Sequence, residues 1–311
     1  MTSGQPDLSV IIAAYCAEFT LGASVNSAVS QVGVDVEVLV VDDRSPDATH
    51  EVARRLESRD PRVRTFRNAT NGGPAVARNA ALDHARGDWV AVLDADDAFA
   101  PERSSRLIAL ADAEGADVVL GNLQEVDEGG VALGDRFIPT PRAPEALSVE
   151  AFVERNLSSV GSHTYGYLKP VFRRSFLETH GIRYDPTLRN GEDFHVIMAC
   201  FLAGARVWFS PEPLYRYTRR SGSISHRADL SHLAALADAD ARLADRADSA
   251  GSLGDLLRRR QGDTQDLLAA ETVMRALKAG NMCNAARAVL HRPQAMSRVG
   301  RQLVEALRKR L

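Results

Sequence analysis

The chain has 311 residues, of which 45% are hydrophobic and 25% are charged, so it can bury a large core in one or two domains. Its formal net charge of −3 at pH 7 argues against nucleic acid as a partner. The three cysteines, Cys16, Cys200 and Cys283, are far apart and form no CxxC pair, which excludes a disulfide framework or a cysteine zinc site.

We expect the protein to stay in the cytoplasm. No stretch approaches the roughly 18 uninterrupted apolar residues of a membrane span. The segment 1–7 lacks the basic and apolar regions of a signal peptide. Unpaired cysteines fit a reducing compartment.

Predicted strands and helices alternate along the first 120 residues. This alternation predicts an α/β fold with a mostly parallel sheet that is covered by helices on both faces. In such sheets ligands bind beyond the carboxyl ends of the strands. The predicted elements are a strand at 8–14, a helix through Leu21, Val25 and Val29, a strand at 36–41, a helix capped by Ser45 with Pro46 in its first turn, a strand at 63–66, a helix from Pro74 to Gly87, a strand from Trp89, a helix from Pro101 to Gly115 and a strand at 118–120.

The rest of the chain divides into three stretches. The pattern is loose from 121 to 147, where glycine, proline and mixed charge predict loops. A second ordered block spans 148–217, with helices near 148–157 and 194–202 and a strand at 207–209. Beyond it the sequence is rich in alanine and leucine at helical spacing. We therefore predict two regions, 1–225 and 226–311, the second being a helical extension.

Carboxylates follow two of the predicted strands. Asp42 and Asp43 follow the second strand, and Asp94 and Asp96 follow the fourth. Asp94 and Asp96 are two positions apart, so on an extended chain they point to the same side. Such carboxylates repel one another unless a cation lies between them, and Mg²⁺ prefers oxygen ligands. The alternative is that these are surface turn residues, or that Asp97 caps the next helix.

The order and spacing of five motifs resemble those of the family 2 glycosyltransferases, which have the nucleotide-sugar-binding fold called GT-A. The resemblance extends from Leu8 to about Ser225, and succinoglycan-type glucosyltransferases of bacterial exopolysaccharide assembly are the nearest general likeness. One departure is Cys16, where the family usually has asparagine. The motifs are SVIIAAY at 9–15, VVDDRSPD at 40–47, NGGPAVARN at 71–79, GDWVAVLDADD at 87–97 and GED at 191–193.

The resemblance implies a nucleotide-sugar donor, with UDP-glucose as the expected form. It assigns Asp43 to the imide N–H of uracil, Arg78 to the base or diphosphate, and Asp94 to the ribose or to metal-bound water. The alternatives are that Asp42 or Asp47 caps the helix near Ser45, and that Arg78 is solvated on a helix surface. The nucleotide-sugar-binding set is Ala13, Tyr15, Glu18, Asp42, Asp43, Asn71, Gly72, Arg78, Asp94, Ala95, Arg219 and Arg220.

The same resemblance implies Mg²⁺ or Mn²⁺ as cofactor, bound directly by Asp96. The ion would bridge the phosphates and neutralise charge on the departing nucleoside diphosphate. His226 is a candidate further ligand. Arg219 and Arg220 precede a stretch of serine and glycine, which suggests a loop that closes on the diphosphate. The alternative for this stretch is an exposed basic linker.

For the acceptor side, the family pattern implies that Asp193 is the general base. It would take the proton of an acceptor hydroxyl while that oxygen attacks the anomeric carbon, which gives a single displacement with inversion. Glu192 is a candidate acceptor-binding residue, and its alternative role is to compensate the dipole of the helix that it begins. His163 and Lys169 are further candidates for contact with the acceptor.

The end of the chain is basic, with seven Lys or Arg residues against one Glu between 284 and 311. Apolar residues recur there at helical spacing, so the segment can lie on an anionic membrane. A terminal helix docked on the protein body is the alternative. Because related enzymes extend saccharides on a polyprenyl-diphosphate carrier, we expect a carrier-linked acceptor and peripheral contact with the inner face of the cell membrane.

Two other functions fit parts of the pattern. A nucleotidyltransferase also combines an α/β sheet with metal-binding carboxylates, but the stretch 13–18 does not provide the phosphate loop it needs. A dinucleotide-binding oxidoreductase fails similarly, because no GxGxxG follows the first strand. The remaining alternative is a non-catalytic nucleotide-sugar-binding scaffold at the membrane, and the intact Asp94, Asp96 and Asp193 argue against it.

Overall fold

The computed structural model describes residues 4–158, 163–220, 229–246 and 251–300. The chain forms two compact units, one comprising 1–149 and 163–221 and the other comprising 150–162 and 222–311. The short segment 150–162 thus belongs to the second unit, although the sequence pattern placed it with the first region.

The first unit is built on one mixed sheet, which the described residues form with ten strands. The strand order is β3-β2-β1-β4-β9-β6-β10-β5, with β7 paired to β6 and β8 paired to β10. The strands are β1 Leu8–Ala14, β2 Val36–Asp42, β3 Val63–Arg67, β4 Trp89–Asp94, β5 Ala98–Phe99, β6 Val118–Val126, β7 Ala132–Arg136, β8 Glu145–Leu147, β9 Lys169–Arg173 and β10 Val207–Thr218.

Seven described helices begin in this part of the chain and three lie in the C-terminal part. They are α1 Leu21–Val29, α2 Thr49–Arg59, α3 Pro74–Leu82, α4 Arg103–Glu114, α5 Val149–Glu154, α6 Arg174–Thr179, α7 Glu192–Leu202, α8 Leu230–Arg246, α9 Ser252–Lys278 and α10 Met282–His291.

The centre of the sheet is parallel, as predicted. β1 pairs in parallel with β2 on one side and β4 on the other, and all three strands are buried runs of branched apolar residues. In this register Ala14 lies opposite Asp42, and Ala13 lies opposite Asp94. The two acidic strand ends therefore stand at the same edge of the sheet, one on each side of β1.

The other half of the sheet departs from the expected pattern. β9 lies antiparallel between β4 and β6, and the stretch predicted as loop contains the end of β6 together with β7 and β8. These strands are short or exposed, so they carry neither a continuous apolar run nor a clear alternation. The sequence pattern missed them for that reason.

Two predicted helix boundaries are wrong. α2 begins at Thr49 rather than at Pro46, because Asp47 Oδ1 accepts hydrogen bonds from the backbone N and Oγ1 of Thr49 and holds a turn there. α3 ends at Leu82 rather than at Gly87. Gly87 instead lies against β1, where an added Cβ would come 2.5 Å from the backbone N of Ser9.

The buried carboxylate of Glu37 links three segments at the amino end of the sheet through hydrogen bonds. We therefore expect the free energy of unfolding to depend on pH. Glu37 accepts hydrogen bonds from Ser9 Oγ at 2.8 Å and from Arg86 N at 2.7 Å. Burial opposes its charge, but these bonds lower the pKa of Glu37 below its usual value. A lowered pKa contributes stability above the unfolded pKa, and that stability is lost as pH falls through the folded pKa.

We expect Glu37→Gln to lower the free energy of unfolding by about 1–3 kcal/mol at neutral pH, because it leaves buried donors poorly paired. Urea unfolding of variant and wild type at pH 7 and in acid measures this, and the difference should shrink in acid. The control is Glu178→Gln, which removes a surface pair with Arg174 and should change stability by under about 0.5 kcal/mol. A pH-independent difference for Glu37→Gln would contradict the assignment.

In the C-terminal unit, α9 pairs with residues on both sides of it along the chain. Asp240 of α8 accepts from Arg260 Nε at 3.0 Å and from Thr264 Oγ1 at 2.6 Å. Beyond α10, Arg292 pairs with Asp266 and Arg298 pairs with Asp263, so these two basic residues contact carboxylates of α9. The last part of the predicted basic helix, 301–311, lies outside the described residues. Within the described residues, none of the helices is both long and apolar enough to span a membrane.

Candidate active site

Arg78 joins three carboxylates from two distant parts of the chain. Its Nη2 lies 2.7 Å from Asp94 Oδ1, and its Nη1 lies 2.7 Å from Glu192 Oε1 and 3.1 Å from Asp193 Oδ1. The guanidinium is buried, so the alternative of a solvated surface arginine is wrong. We call Arg78, Lys169, Asp94, Glu192 and Asp193 the carboxylate cluster. It forms because α3, the end of β4 and the start of α7 converge at the carboxyl edge of the sheet.

Lys169, the first residue of β9, is the second cation of the carboxylate cluster. Its Nζ lies 2.9 Å from Asp94 Oδ2 and 2.8 Å from Asp193 Oδ2. Each oxygen of these two carboxylates therefore faces a positive charge. Burial opposes ionisation, but Lys169 and Arg78 hold the pKa of Asp94 well below its usual range, while Asp193 and Asp94 raise the pKa of Lys169. Lys169 thus orients the base predicted at Asp193.

The three carboxylates that follow β4 have different surroundings. Asp97 is buried and accepts hydrogen bonds from Tyr215 Oη and from Thr218 N, both at 2.7 Å. It does not cap α4, whose first turn instead donates from Ser104 N to Gln31 Oε1 at 2.9 Å. Asp96 is partly exposed, and burial together with the charge of Asp94 raises its pKa above the usual value. A cation beside Asp96 would relieve this unfavourable charge.

The residues predicted to hold a metal are only partly described. Among the described residues, no group of three or more His, Cys, Asp or Glu side chains is arranged to hold a metal ion. His226 lies outside the described residues. Mg²⁺ in nucleotide enzymes is commonly bound through one or two carboxylates, substrate phosphates and water. Asp96 is a carboxylate that would fit such an arrangement.

Asp43 organises the loop that leads into α3. Its Oδ1 accepts from Asn68 Nδ2 at 2.7 Å and from Gly72 N at 3.0 Å, and its Oδ2 accepts from Gly73 N at 2.7 Å. Asn71 adds a bond from its Nδ2 to Asp43 O at 3.0 Å. A carboxylate has about four acceptor positions, so these three bonds leave one for a ligand.

Asp42 was predicted among the nucleotide-binding residues, but its side chain contacts the turn after β2 and Arg67 instead. It is fully buried, accepts from Ser45 N at 3.0 Å through Oδ1, and lies 2.9 Å from Arg67 Nε through Oδ2. It holds the turn after β2 and does not cap α2, whose first residue is Thr49. Its side chain is thus enclosed by the turn that it holds.

The other predicted residues surround the same edge of the sheet. Tyr15 is 44% exposed, and Glu18 accepts from Ala48 N at 3.0 Å. Arg219 lies 3.7 Å from Glu125, while the charge of Arg220 acts on Asp96. The ring centroid of His163 lies 4.7 Å from that of Phe137. Two predicted residues remain. Ala13 of β1 lies opposite Asp94 of β4, and Ala95 is buried.

A buried arginine that no sequence motif includes supports the carboxylate cluster. Arg103 Nη2 donates to the backbone O of Lys169 at 2.8 Å, and its guanidinium lies 4.3 Å from the ring centroid of Phe99. Burial lowers the pKa of Arg103 to about 10. Tyr215 Oη accepts from Asp94 N at 3.1 Å while it donates to Asp97. Arg103 and Tyr215 thereby fix the positions of Lys169 and Asp94.

Comparison with known proteins gives consistent matches. The model of the glycosyl transferase family 2 matches residues 9–177. The succinoglycan biosynthesis protein ExoO of Rhizobium meliloti is 36% identical over 307 residues, which cover 98% of this chain and 87% of that protein. The succinoglycan biosynthesis protein ExoU of the same organism is 37% identical over 243 residues, covering 75% of this chain and 69% of that protein.

Solved structures agree on the fold. The crystal structure of S. aureus TarS in complex with UDP-GlcNAc superposes with a TM-score of 0.65 at 21% identity, covering 93% of this chain and 92% of that one. The mannosyltransferase PcManGT from Pyrobaculum calidifontis, in complex with GDP-Man and Mn²⁺, superposes with a TM-score of 0.60 at 18% identity, covering 97% and 85%. The predicted GT-A fold is thus confirmed, and the chain belongs to glycosyl transferase family 2.

Proposed function

We propose that this glycosyltransferase moves a sugar, with glucose as the first candidate, from a UDP-sugar to a hydroxyl of a saccharide acceptor, with inversion and with a divalent metal. The observation that carries the proposal is the contact of Arg78 with Asp94, Glu192 and Asp193. It puts the carboxylate expected at the donor and the one expected at the acceptor in a single buried site.

The relatives support the wider role that we propose. ExoO and ExoU are named for succinoglycan biosynthesis, and a role in assembling an exopolysaccharide fits their similarity to this chain. TarS was solved with UDP-GlcNAc and with UDP, which supports a nucleotide sugar as the donor. On this basis we propose a saccharide linked to a polyprenyl-diphosphate carrier as the acceptor.

In our proposal the nucleotide binds along the loops after β1 and β2. The remaining acceptor position of Asp43 takes the imide N–H of uracil, and the exposed ring of Tyr15 covers the base. Asp42 is omitted from the nucleotide-binding set because it is enclosed by Ser45 and Arg67. Arg219 and Arg220 provide positive charge for the diphosphate.

Asp96 is the residue that we propose to hold Mg²⁺ or Mn²⁺, together with the diphosphate oxygens and water. When bound, the ion neutralises the negative charge that develops on the departing nucleoside diphosphate. The raised pKa of Asp96 supports this role, because its negative charge is destabilised as long as no cation is near it.

Asp193 is the proposed general base, and in our proposal its contacts with Arg78 and Lys169 determine when it can accept a proton. Its Oδ1 faces Arg78 and its Oδ2 faces Lys169, so its acceptor positions are engaged in the donor-free state. A diphosphate competes with carboxylates for the arginine fork. We propose that donor binding draws Arg78 away and exposes Oδ1 to the acceptor hydroxyl, while Lys169 keeps the carboxylate in place.

Peripheral contact with the inner face of the cell membrane is part of the proposal. Leu290, Met282 and Met296 are exposed on or beside α10, and apolar residues of this kind can enter a lipid interface. A carrier-linked acceptor is available to the enzyme only at that surface. Residues 301–311, which hold most of the basic charge, lie outside the described residues.

A donor panel tests the proposal. We expect nucleoside diphosphate release from UDP-glucose or another UDP-sugar in the presence of Mg²⁺ or Mn²⁺, since slow hydrolysis requires no acceptor. GDP- and dTDP-sugars serve as controls, and EDTA should abolish release. Calorimetry with UDP and Mn²⁺ is run in parallel. Binding without any turnover would favour the scaffold, and the absence of both would refute the proposal.

A further inference from the structure

Tyr184 is anchored beside the carboxylate cluster although no motif includes it. It lies between α6 and α7, and Asn79 of α3 holds its backbone on both sides. Tyr184 N donates to Asn79 Oδ1 at 2.9 Å, and Asn79 Nδ2 donates to Tyr184 O at 2.8 Å. Because Asn79 directly follows Arg78, the position of Tyr184 is tied to the helix that carries the central arginine.

The hydroxyl of Tyr184 is enclosed and unsatisfied. The residue is 1% exposed, and the guanidinium carbon of Arg78 lies 5.3 Å from the centroid of its ring. Among the described residues the hydroxyl has no hydrogen-bond partner. A buried hydroxyl without a partner has lost its bonds to water with no compensation, and such groups are rare in native proteins. Because the ring of Tyr184 packs against Arg78 of the carboxylate cluster, this unpaired donor points to a ligand.

The charges around this hydroxyl restrict the chemistry of that ligand. Burial and the charge of Asp193 raise the pKa of Tyr184 well above its usual value, so the group remains a hydrogen-bond donor. The neighbouring Asp94, Glu192 and Asp193 only accept hydrogen bonds when ionised. A group placed between them must accept from the phenol and donate to a carboxylate. A sugar hydroxyl does both, whereas an ionised phosphate oxygen only accepts.

We propose that Tyr184 is a sugar-recognition residue, whose hydroxyl donates a hydrogen bond to a hydroxyl of a sugar bound in the carboxylate cluster. This inference rests on the proposed function and makes it more specific. Two sugars meet at such a site, the transferred sugar of the donor and the terminal sugar of the acceptor. They share the same chemistry, and the experiment distinguishes them.

The test is Tyr184→Phe, which removes the hydroxyl and keeps the ring. Because the hydroxyl has no partner in the free protein, the melting temperature without ligand should be unchanged or slightly higher. Affinity for UDP should also be unchanged. Affinity for UDP-glucose or UDP-N-acetylglucosamine, measured by calorimetry without acceptor, should fall about five- to tenfold, as expected for one lost hydrogen bond.

Tyr215→Phe is the matched control for stability. The hydroxyl of Tyr215 already bonds Asp97 and the backbone of Asp94, so its removal should lower the melting temperature of the free protein. This contrast separates a hydroxyl that serves the fold from one that serves a ligand.

A second measurement identifies which sugar is bound. If UDP-sugar affinity is unchanged and the KM for p-nitrophenyl glucoside as acceptor rises about five- to tenfold, the bound hydroxyl belongs to the acceptor. The proposal is overturned if Tyr184→Phe lowers the melting temperature as Tyr215→Phe does, or if neither sugar parameter changes while the wild type binds its donor. A wild type that binds no nucleotide sugar would overturn the proposed function itself, and this inference with it.

Discussion

Asp193→Asn is expected to lower the rate of sugar transfer by about 10²–10⁴-fold, the usual contribution of a positioned general base. Asparagine keeps the size of the side chain but cannot take the proton of the acceptor hydroxyl. UDP binding should be kept, because Asp193 contacts Arg78 and Lys169 and not Asp43, which is proposed to bind the uracil. Transfer is followed by nucleoside diphosphate release at saturating donor, and UDP binding by calorimetry.

Glu192→Gln is the matched control for this prediction. Glu192 also contacts Arg78 and also lies in the first turn of α7, so the variant removes a comparable charge from the same place. As a residue of acceptor binding or of helix-dipole compensation, it should affect the acceptor KM or stability more than the rate at saturation. Wild-type transfer by Asp193→Asn, or an equal loss in both variants, would refute the assignment of the base.

Asp96→Asn is expected to abolish the metal dependence of donor binding. The variant keeps the shape of the side chain and removes the charge that we propose to attract Mg²⁺ or Mn²⁺. In wild type, calorimetry should show UDP-sugar affinity rising when the metal is added, and in the variant the metal should have little effect. Thermal unfolding should remain near wild type, because Asp96 is partly exposed and its charge is unfavourable in the free protein.

The control for Asp96 is its neighbour Asp97, changed to Asn in the same way. Asp97 is buried, and both of its carboxylate oxygens already accept hydrogen bonds from Tyr215 and Thr218, so the substitution should leave the metal response in place. A loss of metal response in Asp97→Asn together with a normal response in Asp96→Asn would show that the metal-binding carboxylate was wrongly identified.

The distribution of charge explains how the carboxylate cluster exists before any substrate binds. Asp94, Glu192 and Asp193 carry three negative charges, and Arg78 and Lys169 carry two positive ones. Removing one partner of a buried ion pair leaves an uncompensated charge, which costs about 3–5 kcal/mol. The substitutions proposed at this site are therefore amides or phenylalanine of matched shape.

Much of the fold could be predicted from the sequence. The apolar runs of β1, β2 and β4 identified the parallel centre of the sheet, because strands buried on both faces leave a continuous apolar signal. The antiparallel β9 and the short β7 and β8 have no comparable signal. The start of α2 was also mispredicted. Ser45 and Pro46 indicated a helix start, but the side chain of Asp47 forms a turn there and the helix begins at Thr49.

The residues of the candidate site likewise divide into those that the sequence indicated and those that only the structure revealed. The position of Asp94 and Asp96 at a strand end indicated them from the sequence alone, and the family resemblance added Arg78 and Asp193. Only the tertiary structure decided that Asp42 is enclosed, that Lys169 bridges Asp94 and Asp193, and that the Tyr184 hydroxyl lacks a partner among the described residues. The physical reason is that the pattern of residue types along the sequence reflects only the local backbone conformation. A pairing such as that of Arg78 with Asp193 joins residues 115 positions apart, so it depends on how whole helices and strands pack.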